Sequence, residues 1–238
     1  MKFAEMPYQR VDTEAVVAAL KELTQELKAA KSGEEQFEIH QKFYALRDEY
    51  NTTIQIAMIR SDVDTADEFY SEEKNCYNEV LPTINNQETE YRKALYYSPY
   101  REVLEEKIGK VAFKSMELEF KAMDEKLIPL MQEENALTTQ YDKLIASAKI
   151  DWEGEALNLS LLRPYMTHED REIRRKAHEK YSAFFQSKAE ELDEIYDKLV
   201  KNRTAQARLL GYENYVELGY YRMNRNSYGK EEVENFRR

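Results

Sequence analysis

Three histidines, a single cysteine and one run rich in tyrosine and arginine are the side chains with chemistry to offer. Zinc hydrolysis needs two imidazoles four residues apart on one helix face, with a glutamate between them to activate the metal-bound water, as in His-Glu-x-x-His. His168-Glu169 and His178-Glu179 begin that pattern, but Glu172 and Ser182 stand where the second histidine belongs. A di-iron bundle needs Glu-x-x-His. The residues three before His40, His168 and His178 are Phe37, Tyr165 and Arg175, so that chemistry fails too. Cys76 has no Cys-x-x-Cys companion and reads as a buried, inert thiol on an apolar helix face. No glycine-rich phosphate loop and no Gly-x-Ser-x-Gly elbow occurs. The stretch from Gly211 to Arg225 differs. Tyr220, Tyr221, Arg222 and Arg225 could hydrogen-bond an extended peptide or clamp its carboxylate, or they could serve only helix packing and surface ion pairs. The run Asp170–Lys176 reads as a solvated helix face near a capped N-terminus, with His168 a surface residue beside it.

The elements that would position these residues are helical. Only 6 Gly and 5 Pro occur in 238 residues, which argues against a sandwich, barrel or propeller. Lys and Arg number 35 against 46 Asp and Glu, a net charge of −11, so neither nucleic acid nor an anionic membrane is expected as a partner. The lone cysteine suits a reducing, cytoplasmic setting, and the first residues carry no apolar leader.

Apolar spacing predicts a first helix capped by Asp12 or Thr13 and ending near Ser32-Gly33, a second over 34–59, and a third opening at Asp64 or Thr65 and kinked at Pro82. A short helix runs from Tyr100 to Ile108 and stops at Gly109. The strongest periodicity, from Phe113 to Leu144, reads as one long coiled-coil-like arm bent at Pro129 and packed on a neighbour. Near 148–160 the pattern changes to a small β-hairpin around Gly154. Thr167 then caps a helix continuing to Gly211, followed by helical stretches around Tyr215–Tyr221 and from Lys230. The expected fold is thus mainly α, with long antiparallel helices. Its two regions are residues 1–147, carrying the arm, and 148–238, carrying the hairpin and the later helices.

Four segments, in this order, carry a resemblance: Asn78-Glu-Val-Leu-Pro82 leading to Ala94-Leu-Tyr-Tyr-Ser-Pro-Tyr-Arg101; Leu130-Met-Gln-Glu-Glu-Asn-Ala-Leu137; the hairpin into Leu161-Leu-Arg-Pro-Tyr165 with Asp170–Ala177; and Ala207-Arg-Leu-Leu-Gly-Tyr-Glu-Asn-Tyr215. Together they resemble the N-terminal half of the oligoendopeptidase F-like enzymes of the M3 metallopeptidase family, the thimet oligopeptidase relatives. The resemblance implies helices forming one wall of a deep channel, in a protein that hydrolyses short unstructured peptides with one zinc ion. It also implies that the His-Glu-x-x-His centre lies past residue 238, in a C-terminal catalytic half absent from this chain. No catalytic or metal residue and no bound zinc is then expected within residues 1–238. Tyr220, Tyr221, Arg222 and Arg225 remain the substrate-channel candidates. The competing expectation is a non-enzymatic helical scaffold that uses the 113–144 seam to bind a partner helix.

Overall fold

Asp12 opens the first helix by accepting the Ala15 N–H at 3.0 Å, which satisfies one of the donors that a helix start leaves without a partner. The computed structural model describes residues 2–238, and α1 spans Thr13–Ala29. Ser32 does the same for α2, Gly33–Val63, through the Glu35 N–H at 3.1 Å. Asp67, rather than Asp64 or Thr65, caps α3, Glu68–Tyr96. Pro82 lies buried within α3. Gly109, at φ +101°, ends α4 (Arg101–Ile108) in a conformation that costs glycine little, and α5 (Lys110–Ala122) follows at once.

The expected single arm is two helices. Met123 is extended at φ −134°, ψ 134°, and Asp124 accepts the Lys126 N–H at 3.1 Å to start a 3-10 turn over Glu125–Leu127. Then α6 runs Ile128–Ala146. Pro129 sits in its first turn, where its missing N–H costs nothing, so it starts a helix instead of bending one. Met123 and Leu127 are nonetheless both buried, which is why the apolar spacing continued across the break. The uninterrupted seam on which the scaffold reading relied is not present.

Strands β1 (Ile150–Trp152) and β2 (Glu155–Leu157) pair antiparallel, Ile150 opposite Leu157, around Glu153 and Gly154 at φ 55° and 94°. Two successive positive φ values make the turn whose twist suits a two-residue hairpin. Asn158 caps α7, Leu159–Met166, by accepting the Leu161 N–H at 2.8 Å. Thr167 therefore closes α7, and Asp170, accepting the Glu172 N–H at 2.7 Å, opens α8, Arg171–Ser187. The chain breaks again at Lys188 before α9, Ala189–Leu209. Gly211 at φ 88° ends α9, with the Tyr212 N–H reaching back to the Ala207 carbonyl at 3.0 Å. The last helices are α10, Tyr215–Arg222, and α11, Lys230–Arg237.

These elements form two compact units, Met1–Gln132 with Arg203–Arg238, and Glu133–Asn202. In the first, α1 and α2 both pack on α3, α4 lies against α2 and α5, and α10 rests on α5. Phe43 and Tyr91 stack with ring centroids 4.1 Å apart at the centre of its core, among Leu20, Ile54, Tyr77 and Leu95. Each such side chain, fully withdrawn from water, stabilises by about 1.5–3 kcal/mol. The backbone at Gly33 approaches α4 so closely that a Cβ there would lie 2.7 Å from the Val103 Cβ. Cys76 is half-buried, not the fully buried thiol expected, and Phe69 of the same helix is exposed. In the second unit, Trp152 and Tyr165 rings sit 4.6 Å apart over a small core of Ile150, Leu157, Leu162 and Ala177.

Candidate functional site

The four tyrosine and arginine candidates lie on and just after α10, whose N-terminus is fixed by Asn214 accepting the Val216 N–H at 2.9 Å. The structure separates them into two pairs. Arg225 stacks over the Tyr220 ring at 4.3 Å and also faces Tyr228 at 5.4 Å. Tyr221 and Arg222, by contrast, line a cavity of about 320 Å³ with Thr89 and Arg92 of α3 and Ser115 and Glu119 of α5. Residues 85, 89 and 92, and again 115, 119 and 122, follow helical i, i+4, i+7 spacing, so one stripe of α3 and one of α5 make two of the cavity's sides.

Tyr221 donates to Glu217 Oε1 at 2.7 Å across one helical turn, and that bond, aided by burial, raises the phenol to about 12. It stays a donor at any ordinary pH. Lys121 Nζ lies 5.4 Å from its ring centroid. Arg222 donates through Nη2 to Oε1 of the buried Gln206, and its guanidinium lies 5.8 Å from the Tyr215 ring. Asn224, at φ 52°, ends the helix, and its N–H bonds the Tyr221 carbonyl at 2.8 Å.

Behind the cavity lies an ionic cluster that sequence reasoning missed. Arg92 donates to Glu119 Oε1 at 2.6 Å and to Glu88 Oε2 at 2.5 Å. Glu88 also accepts from Arg47 Nε at 3.2 Å and from the Tyr50 hydroxyl. Burial disfavours the Arg92 charge, but Glu119 and Glu88 outweigh it and hold the group more firmly protonated than usual. Burial first, and Glu88 second, push the Tyr50 hydroxyl far above its ordinary range. The signal available in the sequence was the i, i+4 spacing of Glu88 and Arg92 on α3.

None of the histidines meets another ligand. His40 is 3% exposed beside Phe43, Tyr44 and Tyr91, with Nδ1 3.4 Å from the Tyr91 hydroxyl and Nε2 without a partner. Burial, and secondarily Arg92, lower it to about 4, so it is neutral at pH 7. His168 and His178 are exposed on the second unit, and His168 Nδ1 accepts the Asp170 N–H at 3.0 Å. Among the described residues no group of three or more His, Cys, Asp or Glu side chains converges to hold a metal ion. Zinc, which takes three or four such ligands, finds no such set among the described residues.

Comparison with known proteins places this arrangement. The family model described as the peptidase M3 N-terminal domain matches residues 3–123, and that described as peptidase family M3 matches residues 164–237. The chain belongs to peptidase family M3. The two matches take in every segment that carried the resemblance except Leu130–Leu137, the hairpin and Leu161–Arg163. Among solved structures, PZ peptidase A with inhibitor 2 is 42% identical at a TM-score of 0.94, over 99% of this chain and 42% of its own. An X-ray structure described as an oligoendopeptidase F is 39% identical at a TM-score of 0.95, over 100% of this chain and 42% of its own. A protein of Bacillus anthracis strain Ames, likewise described as an oligoendopeptidase F, is 40% identical at a TM-score of 0.94, over 100% of this chain and 44% of its own. The chain thus spans less than half the length of these solved structures. No curated protein matches it. No helix among the described residues is long and apolar enough to cross a membrane.

Proposed function

We propose that this chain is the N-terminal portion of a zinc-dependent oligoendopeptidase acting on short unstructured peptides in the cytoplasm. In this reading it supplies a wall of the substrate channel and selects by size, while the catalytic centre lies beyond residue 238 in a C-terminal half. The observation that carries the reading is the similarity, at TM-scores of 0.94–0.95 over essentially the whole chain, to PZ peptidase A and oligoendopeptidase F structures more than twice its length. The missing His-Glu-x-x-His and the scattered histidines agree with a division of labour in which another part of the polypeptide holds the metal. Zinc, where it is held, would polarise the scissile carbonyl and acidify a bound water. The residues of this chain have a different task. A narrow passage lined by rigid helices admits an extended peptide and excludes a folded domain, and in this reading Tyr221 and Arg222, which line the cavity beside α10, belong to that wall. The lone Cys76 suits a reducing compartment.

The test compares this 238-residue chain with the polypeptide extended through its catalytic half, using a quenched fluorescent octapeptide and a folded protein as substrates. The extended polypeptide should cleave the octapeptide, spare the folded protein and lose activity to a chelator. The 238-residue chain should cleave neither substrate and bind no stoichiometric zinc. Hydrolysis by the short chain, or none by the long one, would overturn the reading.

A further inference from the structure

Residues 2–12 precede α1 and hold one 3-10 turn, Phe3–Glu5, and otherwise no helix or strand. Few of their backbone groups are tied to the helices. Arg60 of α2 donates to the Phe3 and Met6 carbonyls at 3.4 and 2.7 Å, and the Val11 N–H donates to the Tyr77 hydroxyl at 3.0 Å. Side chains make the other ties. Tyr8 donates to Glu73 and lies 2.9 Å from the Tyr77 hydroxyl, while Arg10 Nε reaches both Glu73 oxygens, at 2.9 and 3.0 Å. The Tyr8 ring meets Phe69 and Tyr70 edge-on.

The arrangement on α3 is one-sided. Glu73 and Tyr77 are buried, and the hydrogen-bond partners of their side chains among the described residues, Tyr8, Arg10 and Val11, all belong to this segment. Exposure is unequal too: the Arg10 side chain is 55% exposed and that of Glu73 2%. When the segment lifts, water takes over the guanidinium, but the carboxylate stays at its dry position on α3 without a donor. A proton relieves a charge in that position. Arg10 and Tyr8 are the groups that bear on it, Arg10 chiefly holding the carboxyl below its usual range against burial; Tyr77 and Cys76 of α3 act in turn on those two. From α2, Arg60 is engaged by the segment and by Tyr70, and Asp62 pairs with Lys74 at 2.7 Å. The segment also walls a cavity of about 360 Å³, lined by its residues Gln9–Asp12 and by Leu46 and Tyr50 of α2.

We propose that residues 2–11 are a strap that opens and closes as one unit on α3, and that Glu73 takes up one proton from solvent when the strap opens and returns it when Tyr8 and Arg10 close over it again. Acid therefore favours the open strap, because the proton enters only once those two donors have left. Opening also removes one side of the cavity over Tyr50, the residue whose hydroxyl donates to Glu88, and so brings water toward the ionic cluster. The strap stands apart from the peptidase reading, and none of the measurements that test it uses a substrate.

Trypsin reads the opening directly, since it cuts after Arg10 only when that side chain has left Glu73. In the 238-residue chain the Arg10–Val11 bond should be cut at least about a hundredfold more slowly than in a synthetic peptide of residues 2–14. Glu73→Gln should speed the cut about tenfold, the change that losing one charge-assisted pair produces, with helix content unaltered by circular dichroism. Hydrogen exchange followed by mass spectrometry on the unaltered chain needs no variant to fold. Protection over residues 2–11, corrected for intrinsic rates, should be lost well before that over 68–81 of α3. Between pH 5 and pH 3.5 the strap should lose about fivefold more protection than α3, and Glu73→Gln should remove that excess. Cleavage at the free peptide's rate, no acceleration by Glu73→Gln, exchange of strap and α3 as a single unit, or an acid excess that survives Glu73→Gln would overturn the proposal.

Discussion

Two glutamate–arginine pairs, each one helical turn apart, look equivalent in the sequence: Glu88–Arg92 on α3 and Arg175–Glu179 on α8. In the structure they are opposites. The α3 pair is 8% and 18% exposed, and Glu88 is additionally bound by the buried Tyr50 and by the half-buried Arg47, so the carboxylate itself is largely withdrawn from water and surrounded by donors. The α8 pair is 58% and 60% exposed, on the solvated face that the sequence indicated. Spacing determines which side chains can meet; burial determines what their meeting is worth.

The comparison breaks most readily at Glu88. Glu88→Ala leaves Arg92 and Arg47 facing an empty, dry position, and should destabilise the chain by about 3–5 kcal/mol in urea unfolding. A loss under about 1 kcal/mol would mean that water reaches the cluster and that the contrast with α8 is false.

The same contrast explains what could be read in advance. Several helix ends and the hairpin turn were legible because their causes are local: Asp12 accepts a nearby N–H group, Ser32-Gly33 marks the boundary of the first two helices, and Gly109, Gly154 and Gly211 occupy positive φ. The starts at Asp67 and Asp170 were not, since neighbouring Asp64, Thr65 and Thr167 offer the same cap chemistry. The break between α5 and α6 was not, because Met123 and Leu127 stay in the core across it and so preserve the apolar rhythm of a continuous helix. Only the extended backbone at Met123 and the Asp124 side chain reveal the turn. Likewise Tyr221 and Arg222 stood out by composition, whereas their neighbours in the cavity, Arg92 and Glu119, lie about a hundred residues earlier and are brought there by tertiary packing alone.

A second measurement sharpens the comparison by titrating the buried side. His40 has a folded value of about 4 against an ordinary 6.5, since burial and Arg92 both resist its protonation. Below 6.5 the unfolded chain takes up the proton first, so stability falls as pH falls, from about 6.5 down to about 4, and levels off beneath. Between pH 7 and pH 5 the loss should be about 2 kcal/mol by urea titration, and His40→Leu should abolish it. Glu73, held low chiefly by its bond to Arg10, has its stabilisation removed only at more acidic pH, below the ordinary carboxylate range, so the upper window isolates the histidine. An unchanged slope in His40→Leu would place the titrating group elsewhere.

The smallest effect belongs to α8. Arg175 donates to Glu179 Oε1 at 2.6 Å and to Glu172 Oε2 at 2.8 Å, distances comparable with those of Arg92. If hydrogen-bond distance alone set the value of an ion pair, Arg175→Ala, Glu179→Ala and the double variant would show clear coupling. Both side chains are more than half exposed, however, so each recovers its water when the other is removed, and fixing two long side chains carries an entropic cost. The double-mutant cycle should therefore give no coupling resolvable in the urea midpoint, at low salt or at high. A coupling at low salt that vanished at high salt would assign the pair a real but screened role and narrow the gap between the two helices. A coupling that persisted at high salt would show that α8 is shielded from solvent in solution, and the distinction drawn from exposure would fail.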